Sequence, residues 1–394
     1  MTRVLLSTYG TRGDVEPLVA LAVELRALGA DVRMCTPPDE EFTDRLAGLG
    51  LESVPIGPPV RALMRATAPP TPADLTRYRT ELLETQFDVL PAAAEGCDAL
   101  VAAGLAQVAA RSVAEATGIR YVYVTYAAVN LPSPHHAPPP RPGWPEPPGL
   151  DNAALWEVDA QRMNAQFREP LDTHRAALGL PPVADVRDHV YSDRPWLAAD
   201  PVLGPATPDL EVIQTGAWTL PDERPLPAEL TAFLEAGPPP VYVGFGSISP
   251  APDIARWSVE VSRARGYRVL VSRGWAELAV DGCFAIGDVN HQRLFGRLAA
   301  VVHHGGAGTT QTAARAGVPQ VVVPIRLADN PYWAGQVAAH QIGTALHDPT
   351  SGSLAAAFDT ALAPETRAQA AALGAKIRTD GAKTAARLLL DGLG

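Results

Sequence analysis

Short apolar runs alternate with amphipathic stretches along the whole chain. Val4-Leu5-Leu6-Ser7 is the kind of unbroken run that a strand buried on both faces requires. A turn, Gly10-Thr11-Arg12-Gly13-Asp14, follows it. From Glu16 to Leu28 the spacing becomes helical, with Leu18, Leu21, Ala22, Leu25 and Leu28 on one face. Gly29 stands where a C-cap glycine belongs. Asp31 to Cys35 predicts the next strand, and Thr36-Pro37-Pro38 ends it. Residues 98–103 and 121–125 predict two more strands around a helix from Gln107 to Thr117. The second half repeats the pattern. Val241 to Phe245, Arg268 to Ser272, Ala299 to His303 and Gln320 to Pro324 predict strands, with helices between them, such as Thr310 to Ala316. A long Ala-rich helical stretch, Pro364 to Leu390, is broken at Asp380-Gly381. Strand–helix alternation of this kind predicts an α/β protein of right-handed βαβ units, here two Rossmann-like, doubly wound domains.

Length and proline usage sharpen this division. A chain of 394 residues exceeds what one core organises. The 39 prolines must fall mostly outside helices and central strands. One cluster, Pro201 to Pro225, predicts a linker at 201–225 between an N-terminal domain (1–200) and a C-terminal domain (226–375). A second cluster reads PSPHHAPPPRPGWPEPP from Pro132 to Pro148. It is either a surface loop of polyproline character or a stiff rim that binds an acceptor through His135, His136 and Trp144.

Charge and cysteine content exclude several functions. The net charge of -11 offers no basic footprint for nucleic acid. Three widely separated cysteines, Cys35, Cys97 and Cys283, exclude a disulfide scaffold and a CxxC metal site, and fit a reducing cytoplasm. Nothing reads as a signal peptide or a membrane span, and no histidine spacing suggests a metal site. A cytoplasmic monomer is expected.

The richest motif is His303-His304-Gly305-Gly306-Ala307-Gly308-Thr309-Thr310, which follows a strand and opens a helix. Glycines admit close backbone approach, and a helix N-terminus presents unpaired N–H groups to an anion. Two threonines add hydroxyls, and the two histidines add possible cations. This suits a diphosphate without a P-loop lysine; neither the ATPase nor the dinucleotide pattern fits. Gly244-Phe245-Gly246-Ser247 is either a second phosphate loop or a plain turn. Asp14 is either an N-cap or a general base. Asp329 and Asn330 either close a turn or meet sugar hydroxyls. Ser272-Arg273-Gly274-Trp275 offers a ring that either stacks or packs, and Asp288-Val289-Asn290 offers backbone groups to a base.

Taken in order, GTRGD, GFGS, SRGW, GDVNHQ, HHGGAGTT and ADNPYWA resemble the GT-B glycosyltransferases of the glycopeptide-antibiotic (vancomycin and teicoplanin) type across nearly the whole chain. The resemblance implies two domains facing across a cleft, with residues 376–394 returning as a helix to the first. It implies inverting, metal-independent transfer from a UDP- or dTDP-linked sugar to a heptapeptide aglycone, with no other cofactor. By the same likeness Asp14 is the base, with Asp329 also catalytic. Thr11, Gly13, Ser247, His303, His304, Gly308 and Thr309 meet the diphosphate. Arg273, Trp275 and Val289 meet the nucleobase, and Asp329 and Asn330 the sugar. Similar glucose-transferring members carry Asp-Gln where this chain has Asp329-Asn330, which argues against glucose and leaves N-acetylglucosamine or a deoxy sugar open. The long insert at 132–148 looks like that of members acting on the bare aglycone. That favours the phenol of 4-hydroxyphenylglycine at peptide residue 4. Alternatives are deoxyamino-sugar transfer at residue 6, or a nucleotide-sugar epimerase.

Overall fold

A computed structural model describes residues 1–64, 70–247, 252–275, 277–278 and 280–393. The chain divides into two compact units. The first comprises Met1–Pro201, Pro205–Leu220 and Arg378–Gly394; the second comprises Val202–Gly204 and Pro221–Ile377.

In the first unit the order is β1 (Arg3–Thr8), α1 (Arg12–Ala27), β2 (Asp31–Thr36), α2 (Glu40–Gly48), β3 (Glu52–Pro55), α3 (Val60–Met64) and α4 (Pro72–Ala94). Then come β4 (Ala99–Ala103), α5 (Ala110–Thr117), β5 (Arg120–Thr125), α6 (Asn152–Ala177), α7 (Val186–Val190), β6 (Trp196–Leu197) and β7 (Ile213–Gln214). The strands form one parallel sheet in the order β3-β2-β1-β4-β5-β6-β7. The central strands are buried on both faces, which is why they read as apolar runs.

The second unit runs α8 (Ala228–Glu235), β8 (Val241–Val243), α9 (Pro252–Ala264), β9 (Val269–Ser272), β10 (Phe284–Ile286), α10 (His291–Leu294) and β11 (Ala300–His303). It continues with α11 (Ala307–Arg315), β12 (Gln320–Val322), α12 (Asn330–Ala339), β13 (Gly343–Ala345), α13 (Ser351–Ala361) and α14 (Pro364–Gly374). Its parallel sheet has the order β10-β9-β8-β11-β12-β13. One face packs α9 and α13 through Val259, Leu354 and Phe358; the other packs Leu230, Leu294 and Phe295. The last helix, α15 (Gly381–Asp391), packs on α1 in the first unit.

Three sequence expectations change. α1 starts at Arg12 rather than Glu16, because Thr11 and Asp14 form a capping box around its first turn. α5 starts at Ala110 rather than Gln107, whose buried side-chain oxygen Oε1 accepts from Ser7 Oγ at 2.5 Å. The stretch 201–225 is no free linker: Pro205–Leu220 supplies β7, and Trp218 buries its ring 6.4 Å from that of Trp196. Among the described residues no helix is long and apolar enough to cross a membrane.

Candidate active site

Strand order reverses direction once in each sheet, between β1 and β4 and between β8 and β11. Ligands of doubly wound sheets bind beyond the carboxyl ends of the strands at that switch. The motifs Gly10–Asp14, Gly244–Ser247 and His303–Thr310 leave β1, β8 and β11 at those ends.

In the first unit, Asp14 is the third residue of α1 and Thr11 its N-cap. The Asp14 carboxylate accepts the Thr11 N–H at 2.8 Å, and Thr11 Oγ1 accepts the Gly13 N–H at 3.4 Å. The carboxylate folds back over Gly10, where a Cβ would lie 2.1 Å from Asp14 Oδ2. Only glycine leaves room for it. The Asp14 carbonyl accepts from Tyr126 Oη at 2.9 Å and Thr8 Oγ1 at 3.4 Å, which anchors the turn to β1 and to the end of β5. Burial pushes the Tyr126 phenol well above its usual range, so it stays a donor. Neither Tyr126 nor Thr8 carried a motif signal. Asp14 is thus part of a capping box, and its side chain remains partly exposed.

The insert 132–148 is irregular but pinned. Arg162 Nη2 donates to Pro145 O at 2.7 Å, Asn152 Nδ2 to Pro134 O at 2.9 Å, and Trp156 Nε1 to His136 O at 3.0 Å. His136 turns its ring edge-on to Trp156, and burial lowers its pKa. His135 Nε2 lies 3.6 Å from Asp209. The guanidinium groups of Arg79 and Arg141 both lie near the Trp144 ring, 4.9 and 5.3 Å from its centroid.

In the second unit the loops meet one another. The Trp275 N–H donates to Gly246 O at 3.0 Å, and Gly274 passes so close that a Cβ would lie 2.3 Å from the same oxygen. His304 lies beside Gly246 and Gly306, 3.4 and 2.6 Å from where their Cβ atoms would stand. Gly305, at φ +91°, touches the Asn330 carbonyl, 2.8 Å from where its Cβ would stand. Gly246, His304 and Gly306 therefore pack together, and Gly305 packs on the backbone of Asn330. α11 has Gly306 as its N-cap and no side chain capping it, so Ala307, Gly308 and Thr309 are its first three residues. Gly308 is exposed and Thr309 partly so, while Thr310 turns inward and donates to Gly306 O at 2.9 Å. Ser247 is partly exposed at the end of its loop.

The histidines correct an expectation: neither is a cation at neutral pH. His303 is fully buried; its Nε2 meets Gln320 Oε1 at 2.8 Å and its Nδ1 accepts the Gly305 N–H at 3.1 Å. Burial lowers its pKa to about 4 and that of His304 to about 3. His303 shapes the turn, while His304 keeps a buried Nδ1 without a protein partner. Gln320, buried at the head of a run of valines, carries no motif signal either; one polar position beside an apolar run is its only mark in the sequence.

Asp329 accepts Trp333 Nε1 at 2.9 Å, and burial raises its pKa. Asn330 is buried at the first position of α12, after Ala328 in the left-handed region at φ +48°. Arg273 is exposed, whereas Trp275 is only 4% exposed, so of its two readings the packed ring fits. Val289 packs among Leu294 and Phe295, and the turn around it is held by Asn290 Nδ2 donating to the Asp222 and Arg224 carbonyls at 2.6 and 2.8 Å. Among the described residues no group of three or more His, Cys, Asp or Glu is arranged to hold a metal ion.

Comparison with known proteins agrees with these features. The family model for the glycosyltransferase family 28 N-terminal domain matches residues 4–131, and that for the C-terminal domain of erythromycin biosynthesis protein CIII-like proteins matches residues 281–384. The chain is 55% identical to the vancomycin aglycone glucosyltransferase of Amycolatopsis orientalis, over 99% of this chain and 97% of that one. It is 49% identical to the dTDP-epi-vancosaminyltransferase of the same organism, again over 99% and 97%. Among solved structures, the glycotransferase of kitacinnamycin matches with a TM-score of 0.75 at 19% identity, covering 100% of this chain and 99% of that one. The glycosyltransferase VinC in complex with dTDP matches at 0.68 and 20%, with the same coverage. The two structures establish the fold, and the full-length identity goes further: this chain belongs to the glycopeptide-antibiotic glycosyltransferases, nucleotide-sugar-dependent enzymes of the GT-B fold.

Proposed function

We propose that the chain transfers a hexose, glucose or N-acetylglucosamine, from a UDP- or dTDP-linked donor to a vancomycin-type heptapeptide aglycone. The acceptor is the phenolic hydroxyl of 4-hydroxyphenylglycine at peptide residue 4. The observation that carries this reading is 55% identity along 99% of the chain to an aglycone glucosyltransferase. The pinned 132–148 insert is consistent with a preformed acceptor rim.

In this reading Asp14 takes the phenolic proton as the oxygen attacks the anomeric carbon. A positioned base of this kind contributes about 10²–10⁴-fold. The bond from the anomeric carbon to the diphosphate oxygen breaks on the opposite face, so the product is inverted. The leaving diphosphate gathers charge, which the first-turn N–H groups of α11 at Gly308 and Thr309 meet with their positive dipole end. Thr11, Gly13 and Ser247 add donors. Fixed donors aimed at developing charge are worth roughly 3–4 kcal/mol each in acyl-transfer enzymes. His304 supplies a neutral hydrogen-bonding ring, while His303 acts one step back by holding Gly305. Asp329 and Asn330 receive the sugar hydroxyls, Asp329 being oriented by Trp333. The backbone at Val289 pairs with the nucleobase, with Arg273 beside it. The reaction as written needs no metal.

Identity of 49% to a dTDP-epi-vancosaminyltransferase favours a second reading, deoxyamino-sugar transfer at residue 6. A mass-shift assay separates the two. Bare aglycone is offered UDP-glucose, UDP-N-acetylglucosamine and a dTDP-amino sugar in parallel, and the product is fragmented to locate the sugar. Hexose on residue 4 is expected; an aminosugar on residue 6 overturns the first reading.

A further inference from the structure

Arg79, in α4, is partly buried and has no carboxylate within ion-pair distance among the described residues. Its guanidinium lies 4.9 Å from the Trp144 ring centroid, and Nη2 donates to Pro142 O at 2.6 Å. Arg141 lies over the same ring at 5.3 Å, but its charge is answered by the buried Asp159 at 2.8 Å. Among the described residues Arg79 therefore meets a backbone carbonyl and an aromatic face but no carboxylate. Its helix neighbours three and four positions away are Leu75, Thr76, Leu82 and Leu83. Burial and the nearby Arg141 both push its pKa down, so the cation is held where an anion would relieve it.

Its location is informative. Tyr78, the preceding residue, shares a hydrogen bond with Tyr9, whose hydroxyl is also 2.6 Å from Pro58 O. Tyr9 directly precedes Gly10 and the Asp14 turn. Arg79 therefore belongs to the same end of the first sheet as Asp14. Trp144 cannot swing away freely, because hydrogen bonds to Pro142 O and Pro145 O hold the loop on either side of it. A fixed indole face beside an unneutralised guanidinium suits a carboxylate carried by an aromatic ligand.

Resting on the aglycone reading above, we infer that Arg79 binds the C-terminal carboxylate of the peptide acceptor, with Trp144 packing against the aryl group beside it. The test compares equilibrium binding of the aglycone acid and its C-terminal amide to wild type, Arg79→Gln and Arg79→Lys. Wild type should prefer the acid by about tenfold. Arg79→Gln should bind acid and amide alike, and Arg79→Lys should keep part of the preference. If Arg79→Gln weakened both ligands equally and kept their ratio, Arg79 would only be holding the loop and the inference would fall. An acid-to-amide ratio of one in wild type overturns it without any variant, should a variant fail to fold. Failure of wild type to bind either ligand would overturn the aglycone reading itself, and the inference with it.

Discussion

At the scale of single residues, the site depends on close approaches that side-chain chemistry alone does not announce. Asp14 folds back only because Gly10 lacks a Cβ. His303 looks like a phosphate ligand in the motif, yet both ring nitrogens are engaged within the protein. Its folded pKa of about 4 lies below the unfolded value near 6.5. Above about pH 6.5 the ring is neutral in both states and adds no pH dependence. Between about pH 6.5 and 4 the unfolded chain takes up a proton that the folded chain refuses, so stability falls as pH falls. For this ring alone the loss reaches about 3 kcal/mol by pH 4. Urea melts at pH 7 and pH 4.5 should therefore show a smaller acid loss for His303→Gln than for wild type. An identical loss in both would show that His303 titrates normally. The glycines and threonines of the motif were legible in the sequence, because their spacing carries the chemistry. The burial of His303 was not, because it depends on Gln320 from another strand.

At the scale of elements, the parallel strands were the most legible part of the chain. Burial on both faces leaves them no polar alternation, so Val4 to Leu6 and Val241 to Val243 stand out. Helix starts were less legible. GTRGD reads as a turn until Thr11 and Asp14 cap each other, which shifts the start of α1 by more than a full turn. The pinning of the 132–148 insert was invisible, since it depends on how α4 and α6 pack their side chains Arg79, Asn152, Trp156 and Arg162 against the loop's carbonyls, which no local pattern encodes. Gln320 ties three elements of the second unit together. Its Oε1 meets His303 at the end of β11, and its Nε2 donates to Thr310 O in α11 at 3.3 Å. Gln320→Leu leaves a buried ring nitrogen unpaired and should cost about 1–3 kcal/mol in chemical denaturation. It should also weaken UDP binding, because Gly305 loses its anchored partner. Unchanged UDP affinity would mean that the turn holds its shape without the β12 contact.

At the scale of the whole molecule, the proposed reaction draws on two folded units. Each has its own sheet with a single switch point, and each carries glycine-rich loops at that point. The repetition of two α/β units was readable because both halves repeat the same strand–helix rhythm. The chain's route between them was not: Pro205–Leu220 and Arg378–Gly394 return to the first unit through tertiary packing that local composition does not encode. The acidic net charge of -11 does not oppose an anionic donor, since a diphosphate is held by local backbone N–H groups rather than by net charge. Donor binding is assigned to the second unit and proton removal to Asp14 in the first, so one substitution should separate them. The measurement is UDP affinity and turnover with the aglycone in Asp14→Asn. Near-normal UDP affinity with turnover reduced about 10²–10⁴-fold is the predicted result. Turnover at the wild-type rate would contradict the account.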